Sequence, residues 1–491
     1  MEHFIEFYNN YIKVREATKQ GYAIATTGDS INLEQPNSKT RRGRVGKQMA
    51  NTLTCSCNQG VVEEFNKIKE IGQASSSGSQ AGKVYSSQGI FPTICSCTHG
   101  YAIGNILEDF NEGNFYNNKL QEEKFNMSKI KLFDSFAGKG ALYKAFKKLG
   151  IPTEVIGLSE IEPDAIIAYA AVHIKDFKKI EFKYPSDDDM RNELMNINVG
   201  WDFTKQKSSI PRMKKEKLKL LYKANKLTNN FGDISILDYP NLPDFDLFNF
   251  SFPCTDISNA GKQKGLKNED GTHTRSGLVK FGIDLIKSKK PKYIMIENVK
   301  ALITKKFIGD FYDIINEIED YGYKCFYPTK EDKKRNISPT CLNAKDFGIP
   351  QNRERIFVIC IRNDIDLNFS FPKGEKKVVR LKDFLEDRVE EKYYLNDAMQ
   401  NKFKVSYHKT FDYNLDHNLR IRKLTPLECW RLMGFDDEDF YNTKELGLSD
   451  SSLYKLAGNS IVVNCLYYIF KEVFKEYIIN KEENNTYIKT A

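Results

Sequence analysis

From Met127 onward, short apolar runs alternate with segments of helical periodicity, and this alternation constrains the fold more than any other feature of the chain. The run at 130–134 enters a glycine turn, and Ala141–Leu149 carries apolar residues at helical spacing until Gly150 stops it. Further strand-like runs fall at 154–158, 245–252, 293–296, 323–327 and 355–361, with helical stretches such as 278–288 and 307–320 between them. Parallel strands need a crossover, usually a helix, so this order predicts an α/β fold with a mainly parallel sheet covered on both faces. Residues 460–478 return to a strongly apolar helix, expected to pack on that sheet.

Residues 1–126 have a different texture, rich in Gly, Ser, Thr, Asn and Gln, with short apolar runs that predict strands and turns. Two segments echo each other: Gly43-Arg-Val45 followed by Cys55-Ser-Cys57, and Gly82-Lys-Val84 followed by Cys95-Ser-Cys97. The ten cysteines are otherwise scattered, several inside apolar runs, so a disulfide framework is not expected. The two Cys-x-Cys pairs could supply four thiolates to zinc, but a one-residue gap is narrower than zinc sites use, and no metal is expected. The first residues carry no basic segment followed by an apolar one, which predicts a cytoplasmic protein, and no stretch is apolar enough for a membrane span.

A net charge of +8 over 491 residues is mild, so the distribution of charge matters more than its sum. Residues 205–226 place nine basic side chains against one acid, Glu216, around Leu218, Leu221 and Tyr222. That pattern fits a solvated amphipathic helix, and it also fits a face beside a phosphate backbone. Residues 39–47 form a second basic group where a DNA backbone could pass.

Asp134-Ser-Phe136-Ala-Gly138-Lys-Gly140 lies between a strand and a helix, where an open α/β sheet offers backbone donors to a nucleotide-like ligand, although such turns are also common as plain structure. Lys139 in this turn attracts no special reading. Glu160, just after the next strand, could take a ribose diol, and Asp233 offers a further polar contact at a strand end. Pro253-Cys254 follows an apolar run and begins a loop rich in Gly, Lys, Asn and Ser, so Cys254 is an exposed thiol candidate rather than a buried structural cysteine. Glu297 and Asn298 end another apolar run. A carboxyl at a dry strand end would have its pKa raised and could donate a proton, whereas a solvated one would not. Arg353 and Arg355 project to one side if extended, a fit for a phosphate or carbonyl, or equally for a surface ion pair.

Order and spacing turn these separate signals into one. Phe136-Ala-Gly138-Lys-Gly140, Pro253-Cys254, Glu297-Asn298-Val299, Gln351-Asn-Arg353-Glu-Arg355, the stretch from Arg422-Lys-Leu-Thr-Pro-Leu-Glu to Met433-Gly-Phe435, and Gly458-Asn459-Ser460 together resemble the DNA (cytosine-5-)-methyltransferase family of bacterial or phage type throughout 127–491. The resemblance implies a Rossmann-like catalytic domain that uses S-adenosylmethionine, a smaller, mainly β target-recognition region, and here an N-terminal β-rich extension. The expected boundaries are 1–126 for the extension, 127–362 for the catalytic domain with an insertion at 175–230 that would touch DNA, 363–421 for recognition, and 422–491 for the closing motifs.

The resemblance also implies roles. Cys254 matches the nucleophile that adds to the ring carbon beside carbon 5, Glu297 the group that protonates ring nitrogen 3, and Arg353 and Arg355 positions near the target base. Phe136, Gly138, Gly140, Glu160, Ile161, Asp233, Ile234, Pro253, Asn459 and Ser460 match cofactor-binding positions. The target base must leave the duplex to reach Cys254, with the loop at 259–277 as the clamp. Double-stranded DNA is the implied partner, a restriction endonuclease sharing the site is a candidate partner, and a monomer is expected. Two other readings compete with an enzyme acting on duplex DNA, for modification or phage self-protection: a catalytically silent DNA-binding protein of the same fold, and an RNA cytosine methyltransferase. The 363–421 window is short for a whole recognition domain, so residues 1–126 are expected to supply the remainder, as a module N-terminal to an otherwise complete enzyme.

Overall fold

The computed structural model describes residues 3–66, 70–73, 83–85, 129–203, 205–253, 276–331, 337–374, 378–411 and 417–478. Cys254, most of the 259–277 loop and the second Cys-x-Cys copy, Cys95 and Cys97, lie outside them. The chain divides into two compact units. The larger comprises Thr52–Cys57, Met127–Glu386 and Thr425–Ala491, and the smaller Met1–Asn51, Asn58–Asn126 and Asp387–Leu424.

In the larger unit the main path of the central sheet, to which Leu342–Asn343 adds a short strand, is formed by β1 (Ile130–Ser135), β2 (Thr153–Ser159), β3 (Leu247–Phe250), β4 (Tyr293–Val299), β5 (Tyr323–Phe326) and β6 (Glu354–Arg362). They lie in the order β2-β1-β3-β4-β6-β5. The first four are parallel, as the alternation predicts, but β6 runs antiparallel to both β4 and β5. A periodicity pattern does not record strand direction. All four residues of β3 are buried, because it is a central strand with both faces covered. Among the described residues one disulfide, between Cys325 of β5 and Cys360 of β6 at directly opposed positions, is present, which is a single bridge and not a framework.

Helices α1 (Ala141–Leu149), α2 (Pro163–His173), α3 (Asp187–Asn196), α4 (Lys215–Leu227), α5 (Val279–Lys289) and α6 (Ile308–Asp320) fall between the strands. Helix α5 approaches the sheet through Gly282, where a Cβ would meet the Phe250 ring at 2.1 Å. After β6 come α7 (Pro426–Arg431), α8 (Asp437–Lys444), α9 (Asp450–Asn459) and α10 (Val463–Val473). Thr425-Pro-Leu-Glu428 starts α7 with a capping box, and proline at the first helical position gives up no needed hydrogen bond. The apolar C-terminal helix α10 lies on α1, with Phe470 and Phe474 against Phe146 at ring distances of 4.9 and 5.6 Å.

Helix α4 holds much of the basic stretch. It buries Leu218, Leu221 and Tyr222, while Lys205, Lys215, Lys217 and Lys226 pair with Asp202, Asp187, Asp164 and Glu193. Lys223 is buried and donates to the Ile180 carbonyl. The stretch is therefore first of all an amphipathic packing helix.

The smaller unit is assembled from both ends of the sequence. Strand Ile5–Phe7 pairs with Ile12–Arg15 and, in parallel, with Val405–Tyr407. Strand His417–Lys423 pairs along its full length with Gln59–Asn66, which in turn pairs with Ser30–Asn32. Phe4, Ile5, Ile12, Val14, Ile31 and Val62 share one core with Phe403, Leu419 and Ile421. Within this unit the buried Arg422 pairs with Glu63 at 2.6 Å. In the basic group at 39–47, Arg44 is fully buried on the carbonyls of Glu34 and Gln35, Arg41 pairs with Glu34 and Lys47 with Asp29, while Lys39, Arg42 and Lys47 stay exposed.

This partition differs from the boundaries drawn from sequence. Residues 363–386 belong with the larger unit and 422–424 with the smaller, and 387–424 share one unit with most of the N-terminal extension. The six residues Thr52–Cys57 belong to the larger unit. Residues from Met127 onward are thus not that unit in full.

Candidate active site

The carboxyl ends of β1, β2, β3 and β4 carry Phe136, Gly138, Gly140, Glu160, Ile161, Pro253 and Glu297, while Asp233 and Ile234 lie in a 3-10 turn, Arg353 and Arg355 at the start of the antiparallel β6, and Asn459 and Ser460 at the end of α9. At the end of β1 the chain turns sharply: Phe136 has a positive φ of 54°, and Gly138 and Gly140 follow at 56° and 76°. At Gly140 a Cβ would lie 2.2 Å from His173 Nε2 and 2.7 Å from Tyr169, so only glycine fits a turn pressed this closely on α2.

Glu160, at the end of β2, ties this turn to its own. One carboxylate oxygen accepts from the Gly138 amide at 2.9 Å, and the other from the amides of Ile161 and Glu162, also at 2.9 Å. Burial raises its pKa, and those three amide donors oppose the shift. Asp233 is buried and accepts from Ser235 N–H at 2.9 Å and from Asn198 Nδ2 at 3.0 Å, with Ile234 buried beside it.

Beneath the turn, Asp134 is fully buried opposite Asn249 of β3 and accepts from the Asn249 amide. Its second oxygen and the Ser135 hydroxyl have no hydrogen-bond partner among the described residues. Burial, with a contribution from Glu160, pushes the Asp134 carboxyl up to about 7 against the opposing Asn249 hydrogen bond. A glycine turn open around Gly138, partnerless buried oxygens below it and a carboxylate at the end of the neighbouring strand suit a ligand carrying positive charge and hydroxyls.

At the end of β4, the antiparallel register sets Val299 opposite Arg355 and Glu297 opposite Phe357, so Glu297 and Arg355 are diagonal neighbours on one face. Arg355 Nε lies 3.0 Å from Glu297 Oε1. Burial raises the Glu297 pKa, while Arg355 and Arg353 pull the other way. The neighbouring Asn298 is buried and donates from Nδ2 to the Phe252 carbonyl at 3.2 Å, which fastens the chain just before Pro253.

Arg353 is spent differently. Its guanidinium donates to the carbonyls of Leu53 at 3.0 Å, Gly458 at 3.1 Å and Ser460 at 2.8 Å, and it is nearly fully buried. It fixes the backbone around Asn459 and Ser460. Asn459 Oδ1 accepts from the Cys55 thiol at 2.8 Å.

The sequence profile of the C-5 cytosine-specific DNA methylase family matches residues 187–417 and 403–475. The type II methyltransferase M2.ScrFI of Lactococcus lactis subsp. cremoris is 39% identical over 374 residues, which cover 70% of this chain and 99% of the relative. The chain belongs to the C-5 cytosine-specific DNA methylase family. The orphan methyltransferase M.SssI of Spiroplasma monobiae is 31% identical, over 70% of this methylase and 97% of the relative. The orphan methyltransferase M.SPBetaI of Bacillus phage SPbeta is 26% identical, over 72% and 100%. The methylase transfers a methyl group from S-adenosylmethionine to carbon 5 of cytosine in DNA. Its fold is the Rossmann-like α/β arrangement, and no helix among the described residues is long and apolar enough to cross a membrane.

Sequence reasoning missed two features of the methylase site. Lys139 is nearly fully buried, with its amine 4.1 Å from the Phe435 ring centre, 4.6 Å from that of Trp430, and donating to the Leu456 carbonyl at 3.1 Å. It pins the glycine turn to the C-terminal motifs, and burial drives its pKa well below the ordinary lysine value. A lysine between two glycines gives no local sign of this. The second is Asp134, whose place in an apolar strand is the one local signal of a buried carboxyl.

Proposed function

We propose that the methylase works on a cytosine turned out of duplex DNA, with Cys254 as nucleophile and Glu297 as the proton donor to ring nitrogen 3. The observation that carries this reading is the β4 strand end. It holds a part-buried Glu297 against Arg355 and, one residue on, clamps the Phe252 carbonyl two residues before Cys254. Carbon 5 of cytosine is a poor nucleophile. Addition of the Cys254 sulfur to the adjacent carbon 6 sends electron density toward nitrogen 3, and a proton from Glu297 neutralises it there, leaving an enamine whose carbon 5 can take a methyl group. Loss of the carbon 5 proton and expulsion of the Cys254 sulfur then restore the aromatic ring.

S-adenosylmethionine supplies the methyl group when bound. Phe136 would pack on its adenine, Glu160 would hold its ribose and Ile161 wall its adenine, Asp233 with Ile234 beside it would contact the adenine amine, and Gly138, Gly140, Pro253, Asn459 and Ser460 would serve its methionine end. Arg355 orients Glu297, and Arg353 holds Asn459 and Ser460 in place. The smaller unit, mainly β and built from both ends of the sequence, reads the DNA site. The names of the relatives, type II and orphan methyltransferases, favour a role in modification beside a cognate endonuclease or in self-protection.

Bisulfite sequencing of DNA from cells expressing the chain, beside a Cys254→Ala control, tests the reading. New protected cytosines in one sequence context that vanish in the control are expected. Protection that persists in the control would remove Cys254 from the mechanism.

A further inference from the structure

Thr52–Cys57 makes a dense set of contacts within the larger unit. Leu53 N–H donates to Gln351 Oε1 at 3.1 Å, and its carbonyl receives Arg353 Nη1 at 3.0 Å. Thr52 Oγ1 donates to the Asn352 carbonyl at 2.7 Å, and the Cys55 thiol to Asn459 Oδ1 at 2.8 Å. The fit is close: a Cβ on Gly458 would lie 2.5 Å from the Thr54 carbonyl carbon and 2.6 Å from the Cys55 nitrogen. Leu53 and Cys57 are buried, and the Cys57 sulfur lies 3.2 Å from that of Cys429 in α7. Two of the partners that this segment engages, Arg353 and Asn459, stand among the residues that the sequence motifs single out. Cys55 is exposed as a residue, but desolvation around its sulfur raises the thiol pKa, which favours the protonated, donating form.

We infer that Thr52–Cys57 is a positioning segment of the methyl-transfer site, in which Cys55 orients the Asn459 amide and Leu53 anchors Arg353. The N-terminal part of the chain then serves the chemistry as well as the choice of DNA sequence. The inference rests on the reading of Asn459 as a neighbour of the methionine end of the cofactor.

The test uses the full chain and S-adenosylmethionine as titrant, with Cys55→Ala, Cys55→Ser, Asn459→Ala and the double variant Cys55→Ala/Asn459→Ala. Cys55→Ala removes one neutral hydrogen bond and is expected to weaken cofactor binding about fivefold, with KM for the cofactor raised to match and KM for DNA unchanged. Cys55→Ser keeps a donor and is expected to restore binding, and the double variant to bind no more weakly than Asn459→Ala. Thermal melting of each variant separates this pattern from general loss of structure. Wild-type cofactor affinity in Cys55→Ala, together with weakened binding in Asn459→Ala, would overturn the inference and leave the reading of Asn459 standing. Wild-type affinity in Asn459→Ala would overturn both.

Discussion

Replacing Asp134 with asparagine should change how the stability of the enzyme responds to pH. Asp134 is fully buried, accepts from Asn249, has a second oxygen with no partner among the described residues, and has its carboxyl pushed up from 3.8 to about 7. The sign follows from proton counting. Between the two values the folded chain holds a proton that the unfolded chain has released, so rising pH favours the unfolded state across that window. The penalty is absent below the unfolded value and complete above about pH 7. A shift of roughly three pKa units corresponds to about 4 kcal/mol, accumulated at no more than about 1.4 kcal/mol per pH unit. The amide side chain of Asp134→Asn cannot ionise, and its carbonyl oxygen can still accept from Asn249. Urea unfolding of both proteins at intervals from about pH 4.5 to about pH 8.5 should show the wild type losing stability relative to Asp134→Asn by a few kcal/mol as pH rises. Parallel pH profiles would refute the argument, since they would mean that the carboxyl titrates alike in both states.

Three further outcomes follow from the same geometry. Gly140→Ala forces a side chain into a left-handed backbone and against His173, so urea unfolding should show a loss of about 2–5 kcal/mol, and near-wild-type stability would contradict the packing described. Glu297→Gln removes the proposed proton donor while keeping its shape. Single-turnover methylation should slow about 10²- to 10⁴-fold with S-adenosylmethionine affinity unchanged, and equal rates would exclude Glu297 as the acid. Lys139→Met replaces a buried amine by an apolar chain of similar size, so the variant should be at least as stable as the wild type at neutral pH. Because the lysine pKa is lowered on folding, wild-type stability rises with pH, and the variant's advantage should shrink toward about pH 10; thermal melts showing a growing advantage would count against it.

The sequence by itself determined the parts whose causes are local. Strands β1 to β6 and helices α1, α5 and α6 follow from apolar periodicity, the start of α7 from its capping residues, and the family from six motifs in order. The tertiary structure decided what depends on meetings between distant residues. Strand direction turned β6 antiparallel and thereby set Arg355 diagonal to Glu297. Arg353, which in sequence looks like a twin of Arg355, went instead to the backbone carbonyls around Asn459. Lys139, unremarkable in its turn, became buried against Trp430 and Phe435, because only packing brings those rings over it. The first 126 residues read as a separate module preceding a finished enzyme. In the structure they pair strands with residues near 405 and 417 and lend Thr52–Cys57 to the larger unit. Hydrogen bonds and burial act through space, whereas a pattern along the chain records only what each residue needs from its immediate neighbours.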